Sequence, residues 1–254
     1  IEKYDSSNNE VLSGITFRIW RDGELLDDYR TGEMGEILLT DLQPGTYLIQ
    51  EIASDDGHVL DPTPQQIELR AGDGIKQVVF FNGRKPGIHL IKVGSVTMAS
   101  LPNVRFEFKK VGGSFRKEFT TDINGEIDLS KLEPGSYEVR ELEAPDGYLI
   151  DDAVRVIQLN PNENAEFVFT NTPKPDFELI KYDPNTGKYL PSATFRIAKI
   201  EDGSHYLDRI TDMDGKIRID DLEPGVYSVK EMDPPPGYVK VEREFHVELF
   251  PGKL

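Results

Sequence analysis

A lysine, a glutamate and an asparagine recur in this chain at positions where strand periodicity calls for an apolar side chain. Side chains alternate between the two faces of a strand. In Tyr137-Glu-Val-Arg-Glu141 the apolar phase is Tyr137 and Val139, and its next member is Glu141. Glu51 follows Tyr47 and Ile49 in the same way, and Glu231 follows Tyr227 and Val229. The lysines behave alike: Lys92 follows Ile88 and Leu90, Lys181 follows Phe177 and Leu179, and Lys3 follows Ile1. Asn171 extends the phase of Phe167 and Phe169, and Asn82 that of Val78 and Phe80. Burial disfavours charge, so it lowers the pKa of an amine and raises that of a carboxyl. A neutral amine is a nucleophile and a protonated carboxyl a proton donor, which together could support acid–base and nucleophilic chemistry. A plainer reading stays open at this point. Strand ends fray, lysine snorkels to the rim, and a Lys–Glu pair beside an Asn can satisfy its own hydrogen bonds. Recurrence in register, on three separate strands, weighs against it.

The elements that must position these residues come as three copies of one unit. Leu42-Gln-Pro-Gly-Thr-Tyr-Leu-Ile-Gln-Glu51 returns as Leu132-Glu-Pro-Gly-Ser-Tyr-Glu-Val-Arg-Glu141 and again as Leu222-Glu-Pro-Gly-Val-Tyr-Ser-Val-Lys-Glu231, 90 residues apart each time. Lys3, Lys92 and Lys181 are spaced by 89 residues, and each precedes a phenylalanine (Phe17, Phe106, Phe195) by 14. Thr31…Gly35, Thr121…Gly125 and Thr211…Gly215 mark one recurring turn. Internal repetition of this kind is a duplicated domain, with boundaries at 1–84, 85–174 and 175–254. The joints Gly83-Arg-Lys-Pro86 and Thr172-Pro-Lys-Pro175 are short and Pro-bearing, which favours extended, semi-rigid connections. Within each copy, β-branched and aromatic runs are cut by turn residues every eight to twelve positions or so, the pattern of a sandwich or barrel. Pro-Gly after Leu-Glu/Gln suits a type II turn with glycine at positive φ, and Asn124-Gly125 suits a hairpin. The predicted fold is all-β: a tandem array of three small Ig-like, prealbumin-like sandwiches.

Composition excludes several functions. Forty-six acidic against 29 basic residues leave a formal net charge of −17 over 254 residues, which repels phosphate backbones and anionic lipid. Nucleic acid is not an expected partner. There is no cysteine, hence no disulfide, thiol catalysis or thiolate metal site. No apolar run reaches membrane-spanning length, so no membrane insertion is expected of this segment. Asp122-Ile-Asn-Gly-Glu and Asp212-Met-Asp-Gly-Lys lack the acidic spacing of a calcium loop and read as turns. The histidines at 58, 89, 205 and 246 show no ligand spacing. Neither metal nor cofactor is expected. Trp20 and the tyrosines read as core residues.

The layout resembles the Cna protein B-type (SpaA-like, prealbumin-like) repeats of Gram-positive surface adhesins and pilins. Repeat 2 carries the motif closely, with Tyr137, Glu141 and Ala144-Pro-Asp-Gly-Tyr148; repeat 3 has Tyr227, Glu231 and Pro234-Pro-Pro-Gly-Tyr238. Repeat 1 keeps Tyr47, Glu51 and Gly57 but has Ser54-Asp55 for Ala-Pro and His58 for the last Tyr. The family's usual Thr after the Glu is Ile52, Leu142 or Met232 here. The resemblance implies a spontaneous intramolecular isopeptide bond in each complete repeat, Lys3 to Asn82 and Lys92 to Asn171, with Glu51 and Glu141 as catalysts. This is single-turnover self-modification, with no external substrate. In repeat 3, Lys181 and Glu231 stand without a third partner, because the matching Asn falls about 89 residues past Asn171 and the chain stops at Leu254. A sandwich lacking its last strand and its crosslink is therefore expected there.

The resemblance further implies a structural stalk segment, extracellular and attached to the cell wall through another part of its parent, with neighbouring repeats as its contacts. The alternative is a binding module whose loops engage a host protein or glycan; Ser95–Ser100 and Gly112–Ser114 are the candidate loops.

Overall fold

The computed structural model describes residues 1–202 and 206–252. Of the histidines named above, His205 lies outside the described residues.

Repeat 1 contains β1 (Glu2–Asp5), β2 (Thr16–Arg21), β3 (Glu24–Arg30), β4 (Gly45–Ala53), β5 (Gln65–Leu69) and β6 (Val79–Asn82). Repeat 2 contains β7 (Gly87–Gly94), β8 (Arg105–Lys110), β9 (Arg116–Thr120), β10 (Glu126–Leu129), β11 (Gly135–Glu143), β12 (Tyr148–Leu149), β13 (Arg155–Leu159) and β14 (Asn164–Pro173). Repeat 3 contains β15 (Phe177–Ile180), β16 (Thr194–Lys199), β17 (Tyr206–Ile210), β18 (Lys216–Ile219), β19 (Gly225–Asp233) and β20 (Phe245–Leu249). One sheet has the same four-stranded order in all three, β3-β2-β4-β5, β9-β8-β11-β13 and β17-β16-β19-β20. The facing sheet is β10-β7-β14-β12 in repeat 2, reduced to the pair β1-β6 in repeat 1 and to β15-β18 in repeat 3.

The first and last strands of repeats 1 and 2 run side by side and parallel, with Lys3 opposite Phe80 and Lys92 opposite Phe169. That parallel pair brings residues distant in sequence to one place. Among the described residues nothing pairs with the corresponding edge of β15.

Each repeat encloses its own apolar core. Phe17, Ile19, Tyr47, Ile49 and Phe80 form the first, Leu90, Phe106, Phe108, Tyr137, Val139 and Phe169 the second, and Phe195, Ile197, Tyr227 and Val229 the third. The alternating phases read from the sequence are the phases the strands bury. Trp20 departs from expectation, lying near the end of β2 half-buried and outside the core, and so do Tyr182, Tyr189, Tyr206 and Tyr238, which are exposed; Tyr47, Tyr137 and Tyr227 are fully buried. Their hydroxyls donate to the carbonyls of Gln43, Glu133 and Glu223 at 2.7, 2.9 and 2.8 Å, so the ring can be buried without stranding its polar tip.

Two turn assignments need correction. Gly45, Gly135 and Gly225 do take positive φ, but at 155, 134 and 144°, far from the value near +80° of a type II turn. The left-handed residues lie earlier, at Asp41, Lys131 and Asp221 (φ 59, 56 and 60°). Asn124-Gly125 makes a tight turn, yet it does not close a hairpin: β9 pairs with β8 in one sheet and β10 with β7 in the other. Asp122 Oδ1 accepts the Asn124 and Glu126 amides there at 2.9 and 2.8 Å, occupying the carboxylate a calcium loop would need.

Both joints are docked alike. Lys85 pairs with Glu133 at 2.8 Å and Lys174 with Glu223 at 2.7 Å. The linker carbonyls of Arg84 and Pro173 accept the Asn162 and Gly252 amides, and those of Pro86 and Pro175 accept Leu132 and Leu222. The first joint adds Lys131–Asp56 at 2.7 Å and Asn162 Nδ2 to Ser6 Oγ at 3.0 Å. At the second, Asp221 replaces the lysine and lies against Gly147.

Candidate functional site

Lys3 and Lys92 sit in the first strand of their repeats and Lys181 directly after β15, each held at its backbone by the recurring Thr-x-x-x-Gly turn. The Lys3, Lys92 and Lys181 amides donate to the carbonyls of Gly35, Gly125 and Gly215 at 2.9, 2.8 and 2.8 Å. A Cβ on those glycines would come within 2.9, 2.6 and 2.6 Å of the same lysines' carbonyl oxygens, and their φ values of 69, 79 and 69° independently favour glycine. The threonine of the turn is buried. Its hydroxyl donates to Leu12, Leu101 or Leu190 and accepts the amide of Ile15, Val104 or Ala193.

The glutamate comes from the centre of the opposite sheet. Glu51 pairs across strands with Phe17, Glu141 with Phe106 and Glu231 with Phe195. Directly after each glutamate the register slips by one residue, at Ile52, Leu142 and Met232. A bulge at this place bends the strand and re-aims the preceding side chain. The sequence offers no sign of it beyond the apolar residue standing where the family has threonine.

In repeat 1 the three groups close on one another. Lys3 Nζ donates to Glu51 Oε2 at 2.7 Å and to Asn82 Oδ1 at 2.5 Å, and Asn82 Nδ2 donates to Glu51 Oε1 at 2.6 Å. Repeat 2 repeats the arrangement: Lys92 Nζ to Glu141 Oε2 at 2.8 Å, Asn171 Nδ2 to Glu141 Oε1 at 2.6 Å, and Lys92 Nζ to Asn171 Oδ1. All six side chains are buried, none more than 2 % exposed. Aromatic rings wall the site, Phe17 against Phe80 at 4.8 Å and Phe106 against Phe169 at 5.3 Å between centroids. Burial holds the Lys3 and Lys92 amines below their ordinary pKa, an effect the adjacent Glu51 and Glu141 partly offset. A more readily neutral amine thus faces an amide oxygen, while one carboxyl group touches both the amine and the amide nitrogen. The geometry fits nucleophilic attack with proton transfer.

Repeat 3 has two of the three groups. Lys181 Nζ lies 3.0 Å from Glu231 Oε1 and is 16 % exposed, against 1 % for Glu231. Glu231 Oε2 accepts the Val241 amide at 2.6 Å.

Repeat 1 departs from its neighbours at two places around the site. Ser54 Oγ accepts a second hydrogen bond from Asn82 Nδ2 at 2.9 Å. His58 stands where Tyr148 and Tyr238 do, bridging Asp55 (2.8 Å) and the buried Asp5 (3.3 Å). Burial alone would raise the Asp5 carboxyl, but hydrogen bonds from Ser7, Arg84 and His58 together hold it far below the usual carboxylate range. The acid at position 5 is not tied to the His-for-Tyr exchange: repeat 3 has Asp183 there and keeps Tyr238, whose hydroxyl donates to it at 3.3 Å, whereas repeat 2 has Gly94.

The histidine reading needs one correction. His89 lies across strands from Glu126 and Asp128, with ligand atoms within 4.8 Å of one another, a grouping that linear spacing conceals. Its ring meets Asp128 at 2.8 Å, which raises the imidazole pKa. All three are at the surface, so the group reads as a cross-strand ion pair. Of the candidate binding loops, Ser95–Ser100 packs toward the second joint, where Val96 meets Gly252, and Gly112–Ser114 is the exposed turn between β8 and β9.

Residues 1–84, 86–173 and 175–252 each match a family model described as SpaA, prealbumin-like fold domain. Among curated proteins, the chain is 25 % identical over 258 residues to the serine-aspartate repeat-containing protein D of Staphylococcus aureus, covering 84 % of this chain and 19 % of that protein. It is 27 % identical over 167 residues to the S. aureus collagen adhesin, covering 54 % of this chain and 14 % of that one. The chain thus spans under a fifth of the length of these relatives. Similar solved structures include the Bacillus anthracis TIE protein (26 % identity, 98 % of this chain and 47 % of that one, TM-score 0.42) and the shaft pilin SpaA of Lactobacillus rhamnosus GG (17 %, 64 % and 93 %, 0.41). Among the described residues no helix is long and apolar enough to cross a membrane.

Proposed function

This chain belongs to the SpaA family of prealbumin-like fold domains, and from that premise we propose that it is a tension-bearing stalk segment of a Gram-positive surface protein. Its modules are 1–84, 85–174 and 175–254, and the first two are locked by amide crosslinks, Lys3–Asn82 and Lys92–Asn171. It works outside the cell, held to the wall through another part of its parent, and it turns over no external substrate. Neighbouring repeats are its immediate contacts.

The observation that carries this reading is the closed Lys–Glu–Asn triangle, fully buried, in repeats 1 and 2. The neutral lysine Nζ attacks the asparagine Cγ and a new Cγ–Nζ amide forms. The Cγ–Nδ2 bond breaks and ammonia leaves, with Glu51 or Glu141 carrying a proton from the attacking nitrogen to the departing one. Folding supplies the near-attack geometry.

The consequence is mechanical. The joined residues are 79 apart in sequence but lie on adjacent parallel strands at the two ends of the module. A pull on the chain ends would pass through the crosslink and leave the intervening loop unloaded. The docked joints support a connected rod.

Stretching single chains from their ends tests this. Repeats 1 and 2 should not extend, and repeat 3 should give one event of roughly 250 Å, from its residues at about 3.3–3.6 Å each less the folded length. Three extensions of similar size would refute the reading.

A further inference from the structure

The two joints share their backbone docking and one ion pair, but the remaining side chains that cross them differ. At the first joint Arg84 is gripped from both modules. Its amide donates to Asn162 Oδ1 at 2.7 Å and its carbonyl accepts the Asn162 amide at 2.9 Å, so one asparagine of repeat 2 holds the linker twice. Its guanidinium turns back to the buried Asp5 of repeat 1, with Nε donating at 2.5 Å. Asn162 Nδ2 then reaches Ser6 Oγ at 3.0 Å, and Lys131 Nζ donates to Asp56 Oδ2 at 2.7 Å. Repeat 1, the linker and repeat 2 are thus tied by one polar network with a buried anchor, a stronger device than an isolated exposed pair.

The threefold repeat gives the counterpart of each of these residues at the second joint. Pro173 stands for Arg84, with neither an N–H to donate nor a guanidinium. Gly252 stands for Asn162, and only its amide remains to bond the linker, at 3.0 Å from the Pro173 carbonyl. Asp221 stands for Lys131, and Asp146 for Asp56, so an ion pair between modules becomes two like charges. The Asp221 carboxylate lies against Gly147, the residue after Asp146, and among the described residues neither aspartate has a cation partner. What crosses is the Lys174–Glu223 pair at 2.7 Å and the linker's backbone bonds.

We infer that the chain is articulated: repeats 1 and 2 form one rigid arm, and repeat 3 swings on the second joint.

Modules within one chain move relative to one another unless their interface fixes them. A single exposed ion pair fixes little, and like charges brought together by docking favour the open arrangement. The linker limits the swing. Pro173 and Pro175 lock φ on either side of Lys174, so the second joint is a hinge with few free dihedrals, not a loose tether. On the stalk reading, the two crosslinked modules then move as one lever whose direction is set at the second joint.

The test measures distance distributions between spin labels. The chain has no cysteine, so introduced pairs are labelled uniquely. Glu24, Thr120 and Arg209 are exposed and lie on the equivalent strands β3, β9 and β17. Glu24→Cys with Thr120→Cys spans the first joint, and Thr120→Cys with Arg209→Cys the second. The distribution across the second joint should be about twice as broad as that across the first, or more. Asn162→Gly with Lys131→Asp gives the first joint the residues of the second and should broaden it to match. Both positions are exposed, and φ of 67° at Asn162 and 56° at Lys131 suits glycine and aspartate, so repeat 2 keeps its fold. Asp221→Lys restores the ion pair with Asp146 and should narrow the second joint. Equal widths at the two joints, or variants that leave the widths as they were, would overturn the inference. The widths report on the joints whether or not the crosslinks form, so failure here and failure of the stalk reading are distinguishable.

Discussion

Replacing Asn171 by alanine removes the electrophile of repeat 2 while leaving the Lys92–Glu141 ion pair in place. Lys92 and Asn171 are 79 residues apart, and a crosslink closing such a loop restrains the unfolded chain by about 4.5 kcal/mol in the chain-entropy treatment. That is close to the lower end of the whole stability of an ordinary domain, about 5–15 kcal/mol. At about 4–8 °C per kcal/mol for a module of this size, loss of the crosslink lowers the melting temperature of repeat 2 by about 20–35 °C. Calorimetry of the full chain should show one transition moving down by that amount while those of repeats 1 and 3 stay within a few degrees. A shift under about 5 °C would refute the reasoning, because repeat 2 would then owe little to a covalent tie.

Three further outcomes follow. Glu141→Gln blocks the second crosslink and leaves Lys92 as a free buried amine, whose folded pKa already lies below 10.5 through burial and falls further without Glu141. The unfolded chain then binds the extra proton between that lowered value and 10.5, so stability rises with pH across this window; a urea midpoint for repeat 2 that is flat or lower at pH 10 than at pH 7 would contradict it. Gly125→Ala places a Cβ 2.6 Å from the Lys92 carbonyl at φ 79° and should cost about 1–3 kcal/mol, seen in calorimetry as a lower transition for repeat 2 alone. Ser54→Ala removes one hydrogen bond to Asn82, yet Ala144 fills the same place in repeat 2, so mass spectrometry should still find repeat 1 crosslinked.

Much of the site is legible in the sequence because it breaks a period of two. Glu141 after Tyr137 and Val139, or Asn171 after Phe167 and Phe169, is conspicuous where one face must be apolar, and the threefold repeat shows that the breaks coincide. What assembles them is not legible. The parallel pairing of β7 with β14 joins strands 79 residues apart at the key residues, and no local pattern announces it. The bulge after each glutamate is a backbone event carried by Ile52, Leu142 or Met232, residues that suit an ordinary strand equally well. Gly125 looks like a turn glycine, and only the fold reveals that it presses on the lysine carbonyl. The hairpin expected at Asn124-Gly125 fails for a related reason: the turn chemistry is local, but which sheet each flanking strand joins is decided by the core. Ser54 and His58 are visible as departures from the neighbouring repeats, while their partners Asn82 and Asp5 are identified by contact alone.

Intact mass of the untreated chain under denaturing conditions tests the central claim most directly. Two crosslinks predict the calculated mass less two ammonia molecules, with one restored by Asn82→Ala and the other by Asn171→Ala. The full calculated mass would contradict the account.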